Sequence, residues 1–231
     1  MAIRPVFIPT TTPNVGVKEL MLDFNWHSGM AKAQKQKSIR SLHEAAKQKE
    51  YFPILEISSK SEDELGVQLS AFNLCITTKL KNTVFTVETA FQGSKIFERG
   101  GPYKDLIGMD SRVAKKDIRL KESGNLIGFE FFGTKFPLMP RTYFYDWVYI
   151  NALQQNSELT TLVKTYAGFS DIEFNPERSI NCQAHSAALY LSLCLNNQLD
   201  TALISPENFL DVTKAQYAQQ KRNVAVQSSI V

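Results

Sequence analysis

The sequence predicts an α+β protein, predominantly helical, with a small β-sheet or hairpin and an N-terminal β/helix elaboration. Short runs that alternate β-branched or aromatic with polar residues cluster before residue 90. Long stretches of good helix formers, with apolar residues three and four apart, dominate the rest of the chain. The chain has 231 residues, 43% hydrophobic and 21% charged, which is the make-up of an ordinary globular protein; its 15 Phe and 8 Tyr supply a sizeable core.

"RPVFIP" and "KELMLDFNW" read as short strands joined by the turn "TTTPNVG". "SGMAKAQKQKSIRSLHEAAKQKE" reads as a helix capped by Ser28, with Ile39, Leu42 and Ala46 on its inner face and Lys32, Lys35, Lys37 and Arg40 outward. "PILEISS" is a further strand. "LCITT" and "NTVFTV" form a hairpin around "KLKN". "ETAFQGSKIFERGG" reads as a helix stopped by Gly100, Gly101 and Pro102. Residues 110–125 form a charged amphipathic helix capped by Asp110 or Ser111 and stopped at Gly124. "NLIGFEFFGTKFPLMP" is an aromatic loop or short strand. The longest helical candidate starts at Pro140 and runs through "TYFYDWVYINALQQNSELTTLVKTY", with Phe144, Trp147, Val148, Ile150 and Leu153 as its buried face. "SINCQAHSAALYLSLCLNNQL" is a second apolar helix, and "SPENFLDVTKAQYAQQKRN" a third that frays into a polar tail. The expected organisation is an elaboration over residues 1–60, a main domain over 61–215 and a tail over 216–231.

The net charge of +3 permits contact with nucleic acid or phosphate without requiring it. Three Cys without a CxxC pair, and three His without ligand spacing, give no disulfide framework and no zinc site. No metal or cofactor is expected. No apolar run reaches the ~20 residues of a membrane helix, and "MAIRPVFIPTTTPNVG" lacks an apolar stretch of signal-peptide length. No membrane contact is expected, and the cytoplasm is the expected compartment.

"VETAFQGSKIF" carries the chemistry. Glu88, Phe91, Gln92 and Lys95 are spaced i, i+3, i+4 and i+7, so on a helix they line one side. A carboxylate, an amide and an ammonium around one ring are costly to bury unless they serve each other or a ligand. A solvated helix edge is the other reading of the same spacing.

"ELGVQLSAFNL…FTVETAFQGSKIF" resembles the opening of the NADAR family, which pairs a segment like "LSNF" with a hairpin and a helix like "SEHYFQAQKF". Leu69-Ser70-Ala71-Phe72 matches the first part; Glu88, Phe91, Gln92 and Lys95 match the second at the same spacing. "SINCQAHSAALYLSL" is similar to the family's closing helix, with Asn181 on the family Asn. Phe136 stands where the family has a Trp, and "DIEFNPERS" replaces its "WG" segment. The phrases "AKAQKQKSIRSLHEAA", "EISSKSEDELG" and "TYFYDWVYINALQQN" are similar to bacterial NADAR antitoxins, encoded beside ADP-ribosyltransferase toxins that attach ADP-ribose to guanine in DNA.

The resemblance implies an N-glycosidase that removes ADP-ribose from guanine in DNA, with ADP-ribose as product and functional pairing with the toxin. Glu88 would stabilise cationic character on the sugar or shuttle a proton. Lys95 would hold a diphosphate or orient Glu88, or else attack the opened ribose as a Schiff-base nucleophile. Ser70, Phe72, Asn73, Phe91, Gln92, Phe136, Asp171, Glu173, Asn181 and Gln183 are the candidate ADP-ribose contacts. Lys115, Lys116, Arg119 and Lys121 are candidate DNA contacts, with the Lys32–Arg40 group as a second basic surface. Two alternatives remain open: an N-glycosidase acting on a small nucleotide-like metabolite of the riboflavin-pathway type, and an antitoxin that neutralises its toxin by binding alone.

Overall fold

The computed structural model describes residues 2–220 apart from 12, 80 and 178. β1 (Ala2–Thr10) and β2 (Gly16–Phe24) form an antiparallel hairpin in which Ala2 faces Phe24 and Thr10 faces Gly16. After α1 (Lys32–Lys47) comes β3 (Ile54–Glu56), then α2 (Glu64–Gln68) and a second hairpin, β4 (Cys75–Thr77) with β5 (Val84–Thr86). α3 (Val87–Gly93) leads straight into β6 (Lys95–Phe97). A 3-10 turn (Lys104–Gly108), α4 (Ser111–Lys115) and α5 (Arg119–Glu122) precede β7 (Leu126–Phe131) and β8 (Thr134–Phe136). α6 (Tyr143–Gln154), α7 (Ser157–Val163), β9 (Gly168–Ser170), α8 (Gln183–Leu195), α9 (Leu199–Ala202) and α10 (Pro206–Gln219) complete the order.

Helices and sheets are thus mixed along the whole chain. The largest sheet has the order β2-β1-β9-β3, so strands from the N-terminal 60 residues are joined by one from the C-terminal half. β9 runs antiparallel to β1 through Phe7 and Phe169 and parallel to β3. Its Gly168 is needed there: a Cβ would lie 2.5 Å from Ile8 Cδ1 and 2.9 Å from the Phe7 carbonyl. The strand period of two sorts β1 by face. Val6 and Ile8 join Ile39, Leu42 and Ala46 of α1 in a small core, while Phe7 joins the main core with α6 and α8. A sheet covered on both faces requires an unbroken apolar run, and "VFI" supplies it.

One buried polar chain stitches this layer together. Ser170 donates to Glu56 (2.6 Å) and pairs with His43 of α1 (2.8 Å), while Ser58 and the Ile172 amide donate to the other oxygen of Glu56. Burial holds His43 down at about 4, so the ring is neutral, and burial pushes the Glu56 carboxyl up.

Several boundaries differ from the sequence expectation. α1 starts at Lys32 after Ala31, and Ser28 does not cap it. The expected helix over 88–101 ends at Gly93, and Lys95 lies on a strand. Gly93 approaches Ile107 too closely for a side chain, a Cβ falling 2.7 Å from its Cγ1, and the Ser94 hydroxyl bonds back to the Ala90 carbonyl. Lys95, Ile96 and Phe97 then pair with β7, where Lys95 faces Phe129. The expected helix over 110–125 is two pieces, because Asp117 accepts from the Arg119 amide and starts a new turn. The long helix after Pro140 breaks at Asn156, whose side-chain Nδ2 donates to the Ala152 carbonyl. The aromatic segment 126–136 is a hairpin turning at Phe132 and Gly133, both at positive φ. α10 begins with Ser205 as its cap and continues to Gln219, and residues 221–231 of the expected tail lie outside the described residues.

Candidate active site

α3 is buried at every residue, and its N-terminus is tied down on two sides. Thr86 and Thr89 cap it reciprocally. The Glu88 amide donates to the Ala71 carbonyl (2.8 Å) and the Val87 amide to the Leu74 carbonyl (2.9 Å), which docks the "LSAF" turn on the helix start. Gln183 clasps the same turn from α8: its Oε1 accepts from the Ala71 amide (2.8 Å) and its Nε2 donates to the Ile57 carbonyl (2.7 Å). Segments far apart in sequence therefore meet around Glu88.

Glu88 is 5% exposed. Its Oε1 accepts from Gln92 Nε2 (2.9 Å) and faces the Lys115 ammonium at 3.7 Å. An ionised carboxylate can only accept, so the Gln92 amide has its nitrogen toward Glu88 and its oxygen away. That oxygen is buried without a partner. The Lys95 ammonium sits 4.7 Å from the centre of the Phe91 ring, whose other neighbours include the Tyr145 ring, edge-on at 5.2 Å. Burial brings Lys95 down to about 8, with the Lys115 charge acting in the same direction and Glu88 opposing both. Burial, and then the charge of Glu88, push the Tyr145 phenol well up, so it stays neutral.

Among the described residues, four buried side-chain polar atoms lack a hydrogen-bond partner: Ser70 Oγ, Gln92 Oε1, Asn181 Oδ1 and Arg4 Nε. Buried polar groups are nearly always paired. Gln92 is bonded to Glu88, Ser70 precedes the residue that holds the Glu88 amide, and Asn181 lies two residues before the Gln183 clasp.

The other candidates separate. Phe72 is half-buried with the Lys115 ammonium 4.8 Å from its ring centre. Asn73 is exposed and donates to the Val67 carbonyl. Phe136 lies inside the core against Phe144 (4.8 Å) and Tyr143 (5.5 Å). Asp171 is buried, its carboxyl pushed well up by burial and by Glu56, and it accepts from the Glu173 amide. Glu173 turns to α1 and pairs with Lys35 at 3.3 Å. Both ends of the Gln183 amide bond to main chain, so it clasps the Ser70–Ala71 turn to the segment after β3. Lys116 and Lys121 are exposed, whereas Arg119 is held by Asp105 (2.6 Å) and Asp117 (2.9 Å). Lys115 points to Glu88.

Sequence reasoning passes over Tyr145 because it sits in an aromatic run that reads as core. Its only local signal is Tyr149, one turn on, which donates to the Leu69 carbonyl beside the same turn. No group of His, Cys, Asp and Glu suited to a metal ion occurs among the described residues, and none of their helices is long and apolar enough to cross a membrane.

No curated protein matches this chain. A family model described as DarT1-associated NADAR antitoxin matches residues 2–223, and so takes in the N-terminal hairpin and α1 with the site. A match over nearly the whole length places this protein in the DarT1-associated NADAR antitoxin family.

Proposed function

We propose that this chain is an antitoxin enzyme that hydrolyses the N-glycosidic bond between ADP-ribose and guanine in DNA, reversing the modification made by its paired toxin. The observation that carries the reading is a buried carboxylate, Glu88, bonded to a Gln92 amide whose oxygen has no partner, with its charge felt by a lysine that burial brings down to about 8, Lys95. Near neutral pH such a lysine has a useful fraction of neutral amine, the form that attacks carbon.

In this reading Ser70, Gln92 and Asn181 bind the ribose. The sugar ring opens as its ring oxygen takes a proton, with Glu88 as the shuttle. The neutral Lys95 amine adds to the anomeric carbon. The bond from that carbon to the guanine nitrogen breaks, and the nitrogen leaves with a proton. The resulting imine on Lys95 takes up one water, which frees ADP-ribose and regenerates the amine. Net, one water is consumed and no redox partner is needed. Reach to a base edge requires a flipped or single-stranded guanine, and the cytoplasm is where such DNA is met.

The test is release of ADP-ribose from a guanine-ADP-ribosylated oligonucleotide by wild type, Glu88→Ala and Lys95→Ala. Wild type releases ADP-ribose, both variants lose at least about 100-fold, and borohydride traps a covalent adduct on wild type but not on Lys95→Ala. An adduct that persists in Lys95→Ala removes the Schiff-base step. No release by wild type removes the proposed activity.

A further inference from the structure

We infer that Lys115 is a positioning residue of the reaction centre, whose charge keeps the Lys95 amine available for attack. The inference rests on the reading of Lys95 as the nucleophile.

Lys115 ends α4, and α4 is capped at its start and anchored to the site at two points. Asp110 caps it by accepting from the Arg112 and Val113 amides. Ser111, at its first turn, donates to the Phe72 carbonyl (3.2 Å) and meets Thr86 Oγ1, the cap of α3, at 2.8 Å. These contacts tie α4 both to the turn that carries Phe72 and to the helix that carries Glu88. An exposed lysine ordinarily keeps its rotamer freedom and extends into water. Lys115 instead lies over the Phe72 ring (4.8 Å) with its ammonium 3.7 Å from Glu88 Oε1, although its side chain is still 54% exposed.

Lys115 thus sits against Glu88, and the charges of both are felt at Lys95. Glu88 by itself would favour the protonated form of Lys95. Lys115 opposes this twice: it repels a charge on Lys95 directly, and it draws on the field of Glu88. A lysine beside a second cation and an apolar face is a recognised way to obtain a neutral amine near neutral pH.

The groups that face Lys95 from the surrounding elements are few. α3 gives Glu88 and α4 gives Lys115, while the Tyr145 phenol of α6, which packs edge-on to the same Phe91 ring, stays neutral. The nearby acids have their own partners: Glu130 of β7 is paired with Lys104, and Asp105 of the 3-10 turn with Arg119. Lys115 is the cation whose removal moves Lys95.

The test titrates Lys95 on the free protein by trace acetylation across pH with peptide mass spectrometry, in wild type, Lys115→Met, Lys115→Arg and Glu88→Gln. The Lys95 midpoint rises in Lys115→Met from its wild-type value of about 8 and stays in place in Lys115→Arg. It falls in Glu88→Gln. A merely structural role gives no such opposition of sign. Each whole unit of rise lowers the neutral fraction at pH 7 about tenfold. Lys115→Met accordingly loses ADP-ribose release at neutral pH and regains it at higher pH. An unmoved Lys95 midpoint in Lys115→Met overturns the inference, as does a loss of release that no rise in pH restores. Because the titration needs no substrate, it judges Lys115 even if wild type releases no ADP-ribose, the outcome that removes the proposed activity.

Discussion

Below its midpoint near 8, the Lys95 ammonium is a charge held at a cost, since water would solvate it better than the Phe91 face does. The unfolded chain binds that proton up to the ordinary lysine value of 10.5, while the folded chain releases it from about 8. Between these limits the unfolded state holds more protons, so stability rises with pH across the window and the full cost applies below it. Lys95→Met removes the cost. At pH 7 it is expected to be more stable than wild type by about 1–2 kcal/mol, a figure discounted for partial exposure. The gap closes as pH passes from about 8 toward 10.5. Urea midpoints of both proteins at pH 7 and at high pH check this, and a gap that stays constant across the window refutes it. The same titration governs activity: release by wild type climbs toward a plateau above about 8 if the amine is the nucleophile.

Elements hold these residues in place through bonds that local sequence does not announce. The stripe from Glu88 to Lys95 was legible as spacing, because Glu88, Phe91 and Gln92 do share a helix. Lys95 reaches the same ring from a strand, and that strand exists only because β6 finds β7, far along the chain. β9 is three residues long and has no pattern of its own; its partners β1 and β3 define it. The cap at Asp110 was readable in the sequence, but Ser28, read the same way, caps nothing, and breaks made by side chains bonding back to carbonyls, as at Asn156, gave no local signal. Gln183 illustrates the second kind of information. Its type suggested a ligand contact, and its geometry makes it the clasp between α8, the segment after β3 and the Ser70–Ala71 turn. Gln183→Leu leaves the Ala71 amide and the Ile57 carbonyl without that partner. It is expected to cost about 2–3 kcal/mol in urea denaturation. It should also lower ADP-ribose release more than a surface substitution of equal cost does, because the Ala71 carbonyl that holds the Glu88 amide shifts with the turn. Unchanged stability in Gln183→Leu contradicts the clasp.

The whole molecule has a modest positive charge, and the folded arrangement decides which cations can act at a distance. The sequence counts Lys115, Lys116, Arg119 and Lys121 as one basic run. The fold divides them: Arg119 is spent on Asp105 and Asp117, Lys115 on Glu88, and Lys116 and Lys121 stand exposed without an ion pair among the described residues. α1 divides in the same way, with Lys35 on Glu173, Arg40 on Glu62, and Lys32 and Lys37 exposed. Phosphate contact releases counterions only where a cation is free to neutralise a phosphate. For binding of a guanine-ADP-ribosylated single strand, Lys116→Ala and Lys121→Ala are each expected to flatten the slope of log affinity against log salt by about 0.7. Arg119→Ala should change that slope less, since removing a guanidinium already matched by two carboxylates subtracts little positive field. Lys32→Ala and Lys37→Ala decide whether the strand also crosses α1: a loss of about 0.7 from each extends the track to that helix, and none confines it to the segment beside the site. Fluorescence anisotropy over a series of salt concentrations reads all five variants. Equal slopes for Lys116→Ala, Lys121→Ala and wild type would remove this segment from the DNA path and leave recognition to the residues around Glu88.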